Sequence, residues 1–215
     1  MKKSVILLSG GLDSAVTLYD ALKNGYKPDV LIFDYGQRHK KEISFAKKLA
    51  TINKLKYHVI KIDLSWTPSS LTNKKMKVPT GRDLKAQDIP STYVPGRNII
   101  FLSYAFSYAE SIGADKVFIG AHVEDYSGYP DCRPEFLFNF NSAVVLGLKD
   151  KKIKLVAPLL DLSKRCIIEL GLKLKVPFHY TWSCYNGGKR ACGKCDSCRF
   201  RIQAFQSLGL VDPSL

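Results

Sequence analysis

An α/β fold is predicted: a doubly wound, mostly parallel sheet with a small cysteine-rich appendage at its C-terminal end. Three features carry the expectation. Apolar runs recur that are continuous rather than alternating, as in strands buried on both faces: Val5 to Leu8, Asp29 to Asp34, Tyr57 to Leu64 and Lys116 to Ala121. Helical patterns separate most of these runs, which implies right-handed βαβ units. Four of the six cysteines crowd between positions 184 and 198.

The first run ends at Ser9-Gly10-Gly11-Leu12-Asp13-Ser14, and a helical face of Ala15, Leu18, Tyr19 and Leu22 follows. Strand, glycine turn and helix start aim unpartnered N–H groups and the positive end of the helix dipole at one point, which suits an anion. Two glycines let the main chain approach a guest closely. Ser9 and Ser14 add hydroxyls, while Asp13 either caps the helix or holds a magnesium ion beside phosphates. A bare glycine pair serves equally as a plain strand-to-helix turn. No G-x-G-x-x-G is present, and Gly188 to Cys195 lacks the Ser or Thr that a Walker loop places on magnesium.

Asn24-Gly25 stops the first helix. The strand 29–34 delivers Tyr35-Gly36-Gln37-Arg38-His39 at its carboxyl end, and a Lys/Glu-rich helix runs from there to about Asn53. After the strand 57–64 the periodicity fails from Ser65 to Pro95, where five prolines and glycines punctuate a polar stretch. A segment of that length is a functional flap or a disordered loop, expected to be mobile without ligand. Pro95-Gly96-Arg97-Asn98 opens a helix whose stripe of Phe101, Tyr104, Ala105, Tyr108 and Ile112 is expected to be core. The strand 116–121, a helix near 135–148, a short strand near 154–157, a helix near 163–172 with Cys166 inward, and a last helix 196–208 follow. Ligands of open parallel sheets sit at the carboxyl ends of the strands, so chemistry is expected at 9–14, 35–39 and 122–133.

The chain of 215 residues suits one moderate fold without internal repeats, and no apolar run nears the roughly 18–20 residues of a membrane span. The apolar run after Met1-Lys2-Lys3 is too short for a signal peptide, so a cytoplasmic location is expected. The net charge of +14 comes from lysines in scattered pairs and triplets, which fit a solvated face better than a nucleic-acid track. Cys184, Cys192, Cys195 and Cys198 are spaced C-x7-C-x2-C-x2-C, a spacing that closes on one structural Zn²⁺ with no open position. Disulfides are the weaker alternative in a cytosolic chain.

The run S-G-G-L-D-S resembles, residue by residue, the pyrophosphate-binding loop of the PP-loop ATP pyrophosphatases. Asp34 to His39, Asp125 to Arg133, and Thr181 to Gly188 with Cys192 to Cys198 resemble the 7-cyano-7-deazaguanine synthase family of the queuosine pathway, from Ser4 to about Phe205. The sequence departs from that pattern at Glu124-Asp125, where the family usually reads Thr-Asp. The resemblance implies an adenine nucleotide alpha hydrolase-like domain over 1–183 and a zinc-binding segment over 184–215. It implies ATP, with magnesium, on Leu8, Ser9, Gly10, Gly11, Leu12, Asp13, Ser14, Ala15, Val16, Thr17 and Leu18, of which Ser9, Asp13 and Ser14 are catalytic. The implied reaction converts 7-carboxy-7-deazaguanine and free ammonia to the nitrile through an adenylated acid and an adenylated amide. A homodimer without a stable nucleic-acid or membrane partner is implied as well.

Tyr35, Gln37, Arg38, Arg97, Asn98, Asp131 and Arg133 are the candidate substrate contacts. Arg97 and Asn98 serve equally as a helix cap, and Asp131 with Arg133 as a loop staple. Cys132, beside two acidic residues, reads as a bystander thiol. Among the histidines, His122 is the one placed to touch ligand, and His39, His58 and His179 read as structural or surface groups. Two competing readings are a PP-loop enzyme that modifies a tRNA base and a non-catalytic zinc-ribbon protein.

Overall fold

Strand β1 (Lys2–Leu7) is apolar on both faces, and the fold is built outward from it. In the computed structural model, which describes residues 2–84, 86, 88–122, 128–149 and 151–215, β1 pairs with β2 (Tyr26–Asp34) on one side and β4 (Lys116–Phe118) on the other. The edges are β3 (Tyr57–Lys61) and β5 (Lys154–Val156). Strand order is β3-β2-β1-β4-β5, with every pairing parallel. Register is set by matches such as Ile6 opposite Val30 and Phe118. A slip of one residue would turn Ile6 away from its core, so burial on both faces pins it.

Helices cover both faces. The face bearing Ile6, Leu8, Val30 and Ile32 packs on α1 (Leu12–Lys23), α2 (Lys41–Ile52), α5 (Lys164–Lys173) and α6 (Asp196–Gln206). The face bearing Val5, Leu7, Leu31 and Phe33 packs on α3 (Arg97–Ile112) and α4 (Pro134–Gly147). Each fully buried aliphatic side chain, such as Ile6, Leu8 or Leu31, contributes about 1.5–3 kcal/mol. The winding is therefore double, and its direction reverses between β1 and β4. A crevice opens there at the carboxyl ends of the strands.

Several boundaries and side chains differ from the sequence reading. β2 starts three residues earlier, at Tyr26, whose ring packs edge-on against Phe118 at 5.3 Å. β3 stops at Lys61, and Asp63 Oδ1 then accepts from the Ser65 amide at 2.9 Å to turn the chain away. In α3, Tyr104 faces solvent and Phe106 is fully buried in its place. Cys166 is exposed rather than core; its amide donates to the Ser163 cap, while Ile167 and Ile168 turn inward.

Segment 65–95 contains neither helix nor named strand among the described residues, but it is a packed loop rather than a free flap. Leu71, Val78 and Val94 are buried, and buried Thr67 and Thr72 share a hydrogen bond at 3.0 Å. Arg38 Nη1 donates to the carbonyls of Ser70 (2.8 Å) and Met76 (3.0 Å). Thr80 forms an isolated bridge with Cys195, and Arg199 donates to the Arg82 carbonyl. At the far end, Arg201 and Asp212 form a buried ion pair at 2.9 Å, with Arg201 also donating to Thr181 Oγ1 at 2.7 Å.

Candidate active site and metal centre

A cavity of about 260 Å³ lies at the crevice between β1 and β4. Its floor is the turn from Leu8 to Ser14. Gly10 has φ +81°, and an added Cβ would overlap the Glu42 carbonyl oxygen, so the first turn of α2 sits directly on this loop. Gly11 is the N-cap of α1, and no side-chain cap is made there among the described residues. The first-turn amides are therefore left to a ligand. Ser14 Oγ donates to the Gly11 carbonyl at 3.1 Å and lies 3.0 Å from Ser9 Oγ, which accepts from the Gly11 amide at 3.2 Å. Two hydroxyls and a helix start thus converge.

Asp13 Oδ1 accepts from Lys164 Nζ at 2.7 Å, and Nζ also lies 2.7 Å from His122 Nε2. Burial pushes the Asp13 carboxyl up, but Lys164 and His122 together outweigh it and hold its pKa below the usual carboxylate value. Lys164 escaped the sequence reading. Its one local mark is a cation in the first turn of α5, where the dipole disfavours it. A second cavity of about 130 Å³ shares Asp13, Tyr129, Ser183 and Tyr185 with the first and adds Arg82, His122, Lys164 and Arg201.

Of the expected nucleotide contacts, Leu8, Ser9, Gly11, Asp13 and Ser14 line the main cavity and Leu12 the second. Ala15, Val16, Thr17 and Leu18 are buried in the α1 packing instead. Tyr35, Gln37, Arg38, Arg97 and Asn98 line the main cavity as well, whereas Asp131 and Arg133 do not. Asp131 Oδ2 accepts from the Asn98 amide at 2.9 Å and so serves the start of α3. Arg133 is the exposed N-cap of α4. Gln37 Oε1 accepts from the Tyr35 amide at 2.8 Å, and its Nε2 donates to the Phe33 carbonyl and to Glu42 Oε1.

Arg97 donates to Tyr35 Oη at 3.3 Å, and no carboxylate among the described residues lies within ion-pairing distance of it. Burial would favour loss of its charge, but the surrounding Tyr35, Asp131 and Cys132 outweigh burial and keep the guanidinium charged. Burial pushes the Tyr35 phenol up to about 12. His39 packs under Gly187 and borders the cavity, and burial lowers its pKa. Buried Cys132 accepts from Asn98 Nδ2 at 3.2 Å. Glu42, also missed from sequence, faces the cavity, and burial pushes its pKa up to about 7. The departure at Glu124-Asp125 falls in 123–127, outside the described residues.

The ligand atoms of Cys184, Cys192, Cys195 and Cys198 all lie within 4.8 Å of one another, and Cys192 Sγ is 3.9 Å from Cys198 Sγ. That separation is too long for a disulfide and fits thiolates sharing one tetrahedral ion at about 2.3 Å each. The amides of Asn186 and Cys192 point at Cys184 Sγ, and those of Lys194 and Cys195 at Cys192 Sγ, all at 3.3–3.4 Å. Such amides stabilise negative sulfur. Trp182, Val78 and Phe45 close the apolar side of the cluster.

Known proteins resemble this arrangement over nearly its whole length. The family model for the queuosine biosynthesis protein QueC matches residues 3–209. A 7-cyano-7-deazaguanine synthase from Trichodesmium erythraeum (strain IMS101) is 49% identical over 219 residues, covering 98% of this chain and 99% of the relative. One from Picrophilus torridus is 51% identical over 217 residues, covering 99% of this chain and 90% of the relative. Among solved structures, the NMN synthetase of Francisella tularensis has a TM-score of 0.50 at 19% identity, covering 96% of this chain and 76% of that one. A 4-thiouridine synthetase–RNA complex with bound ATP also gives 0.50 at 19% identity, covering 96% and 54%. The last two share the fold.

Proposed function

The chain belongs to the family of the queuosine biosynthesis protein QueC, and from that premise we propose that it is an ATP-dependent ligase that makes 7-cyano-7-deazaguanine from 7-carboxy-7-deazaguanine and ammonia. The observation that carries the chemistry is the uncapped start of α1, with Ser9, Ser14 and Asp13 gathered on the cavity floor. Main-chain amides there receive the two phosphates that ATP gives up. The basic second cavity, with Arg82, Lys164 and Arg201, offers the departing pyrophosphate a place beside Asp13.

A carboxylate oxygen is a poor leaving group until it is adenylated. Arg97, which has no carboxylate partner among the described residues and is not spent on main-chain carbonyls as Arg38 is, holds the substrate's carboxylate, and Tyr35 orients that guanidinium. Ammonia displaces AMP to give the amide. The amide oxygen is adenylated in turn, and AMP leaves again as the nitrile forms. Gln37 and Asn98 shape the wall, and Arg38 anchors the 65–95 loop against it. Magnesium on Asp13 spreads the charge of the phosphates when bound. Zinc is the metal that suits four thiolates with no open position.

Residues 1–183 form the catalytic domain, on which the metal-bearing segment 184–215 packs. α4 supports a homodimer: Phe138 and Leu146 are 73% and 76% exposed on an apolar helix that buries only Leu137 completely. Among the described residues no helix is long and apolar enough to cross a membrane. The test is mass spectrometry of the product with nucleotide analysis of the same reaction. A nitrile, AMP and pyrophosphate are expected, each dependent on the acid and ammonia. ADP in place of AMP, or product with tRNA and none with the acid, overturns this reading.

A further inference from the structure

Turning ammonia into a nitrile nitrogen strips three protons from one atom. In the first stage the nitrogen bonds to the adenylated carbon, the bond to AMP breaks with its electron pair leaving on AMP, and one proton departs. In the second, the amide nitrogen loses its two remaining protons between adenylation and the departure of AMP. The N–H electron pair freed last becomes the third carbon–nitrogen bond. A base placed at that nitrogen therefore serves both stages. We propose that Glu42 is this base, a catalytic residue whose carboxylate takes protons from the reacting nitrogen one at a time and returns each to solvent before taking the next. The inference rests on the reaction proposed above.

Among the described residues, the main cavity offers two carboxyl groups, Asp13 and Glu42. Asp13 is tied to Lys164 at the phosphate end. Glu42 Oε1 is fixed by Gln37 Nε2 at 3.2 Å, so the carboxylate is oriented with a second oxygen in hand. Arg97, assigned above to the substrate's carboxylate, lines the same cavity as Glu42, whose holder Gln37 also accepts from the amide of Tyr35, the partner of Arg97. A first-turn acid is often only a partner for the helix dipole, but here the carboxylate also faces the cavity and is held by Gln37.

No other described group in the cavity is so placed. The Arg38 guanidinium is spent on two carbonyls, and the Tyr35 phenol holds its proton up to about 12. His39 packs under Gly187, Cys132 accepts from Asn98, and the Tyr129 and Tyr185 hydroxyls lie 3.3 Å from each other. On its own helix, Lys41 turns away to the Gly188 and Lys189 carbonyls. Burial pushes the Glu42 pKa up to about 7, and a base of that strength both takes and releases protons at neutral pH.

The test compares wild type with Glu42→Gln and Glu42→Asp in three measurements: acid-dependent ATP–pyrophosphate exchange, single-turnover amide and nitrile formation, and the pH profile. Glu42→Gln is expected to keep exchange within about threefold while amide formation, and nitrile formation from supplied amide, each fall about 10²-fold or more. The rise of the wild-type rate through about pH 7 should vanish, and Glu42→Asp should recover part of the rate with a displaced rise. Nitrile formation at the wild-type rate overturns the proposal, as does a parallel loss of exchange or a rise retained in Glu42→Gln. Should Glu42→Gln fail to fold, a fully active Glu42→Asp with an unmoved rise overturns it too. Absence of exchange in wild type instead sinks the parent reaction, and the role of Glu42 with it.

Discussion

Glu42 and Asp13 face one cavity, and their surroundings move their acidities in opposite directions. The pKa of Glu42 is raised from 4.5 to about 7, so the folded state holds its proton more tightly than the unfolded chain does. Its contribution to stability is full below 4.5 and fades as pH climbs toward 7. Glu42→Gln should match wild type near pH 4 and exceed it at pH 8 by about 3 kcal/mol. Thermal melts at the two pH values decide it, and equal melting at both refutes the assignment. For Asp13 the sign reverses, because Lys164 and His122 favour its charged form against burial. Lys164→Met should leave that carboxylate without its cation, raise its pKa and slow turnover by about tenfold or more; an unchanged rate counts against the pair. Asp13 was legible in the sequence because it sits inside a contiguous motif. Lys164, 151 positions away, was not, since only the pairing of α1 with α5 brings it there. Asp131 shows the reverse: a motif residue whose carboxylate the fold spends on the start of α3.

The elements that matter most are the α1 start and the loop 65–95. Gly10 cannot carry a side chain, because its φ is +81° and the Glu42 carbonyl fills the space a Cβ would need. Gly10→Ala should destabilise the fold by about 2 kcal/mol or more and weaken ATP binding, read from a denaturant midpoint and nucleotide titration. The loop is joined to the cysteine cluster through the Thr80–Cys195 bridge and the Arg199 contact with Arg82. Cys195→Ser should therefore lower metal content and open the loop to protease together; a metal-poor variant with an uncut loop breaks that link. Strands and helices were legible in their order because hydrophobic period reports burial. Strand ends were less so, since β3 stops where the Asp63–Ser65 turn takes over. The loop had no period to read, and its order comes from scattered polar contacts such as those of Arg38.

For the molecule as a whole, the parallel sheet and its reversal between β1 and β4 put the described loops that line the main cavity at the carboxyl ends of the strands, which alternating strand and helix patterns had already implied. The α4 surface was not legible, because an apolar helix reads alike whether it faces a core or a partner. Phe138→Asp is expected to give a monomer of unchanged helix content by sedimentation, and a variant that still pairs argues against α4 as the seam. The tail carries a practical consequence. Asp212 is buckled to Arg201 deep in the fold, and Arg201 borders the basic cavity beside Asp13. Asp212→Asn would unfasten that buckle and strand the Arg201 charge in the interior without its counter-ion.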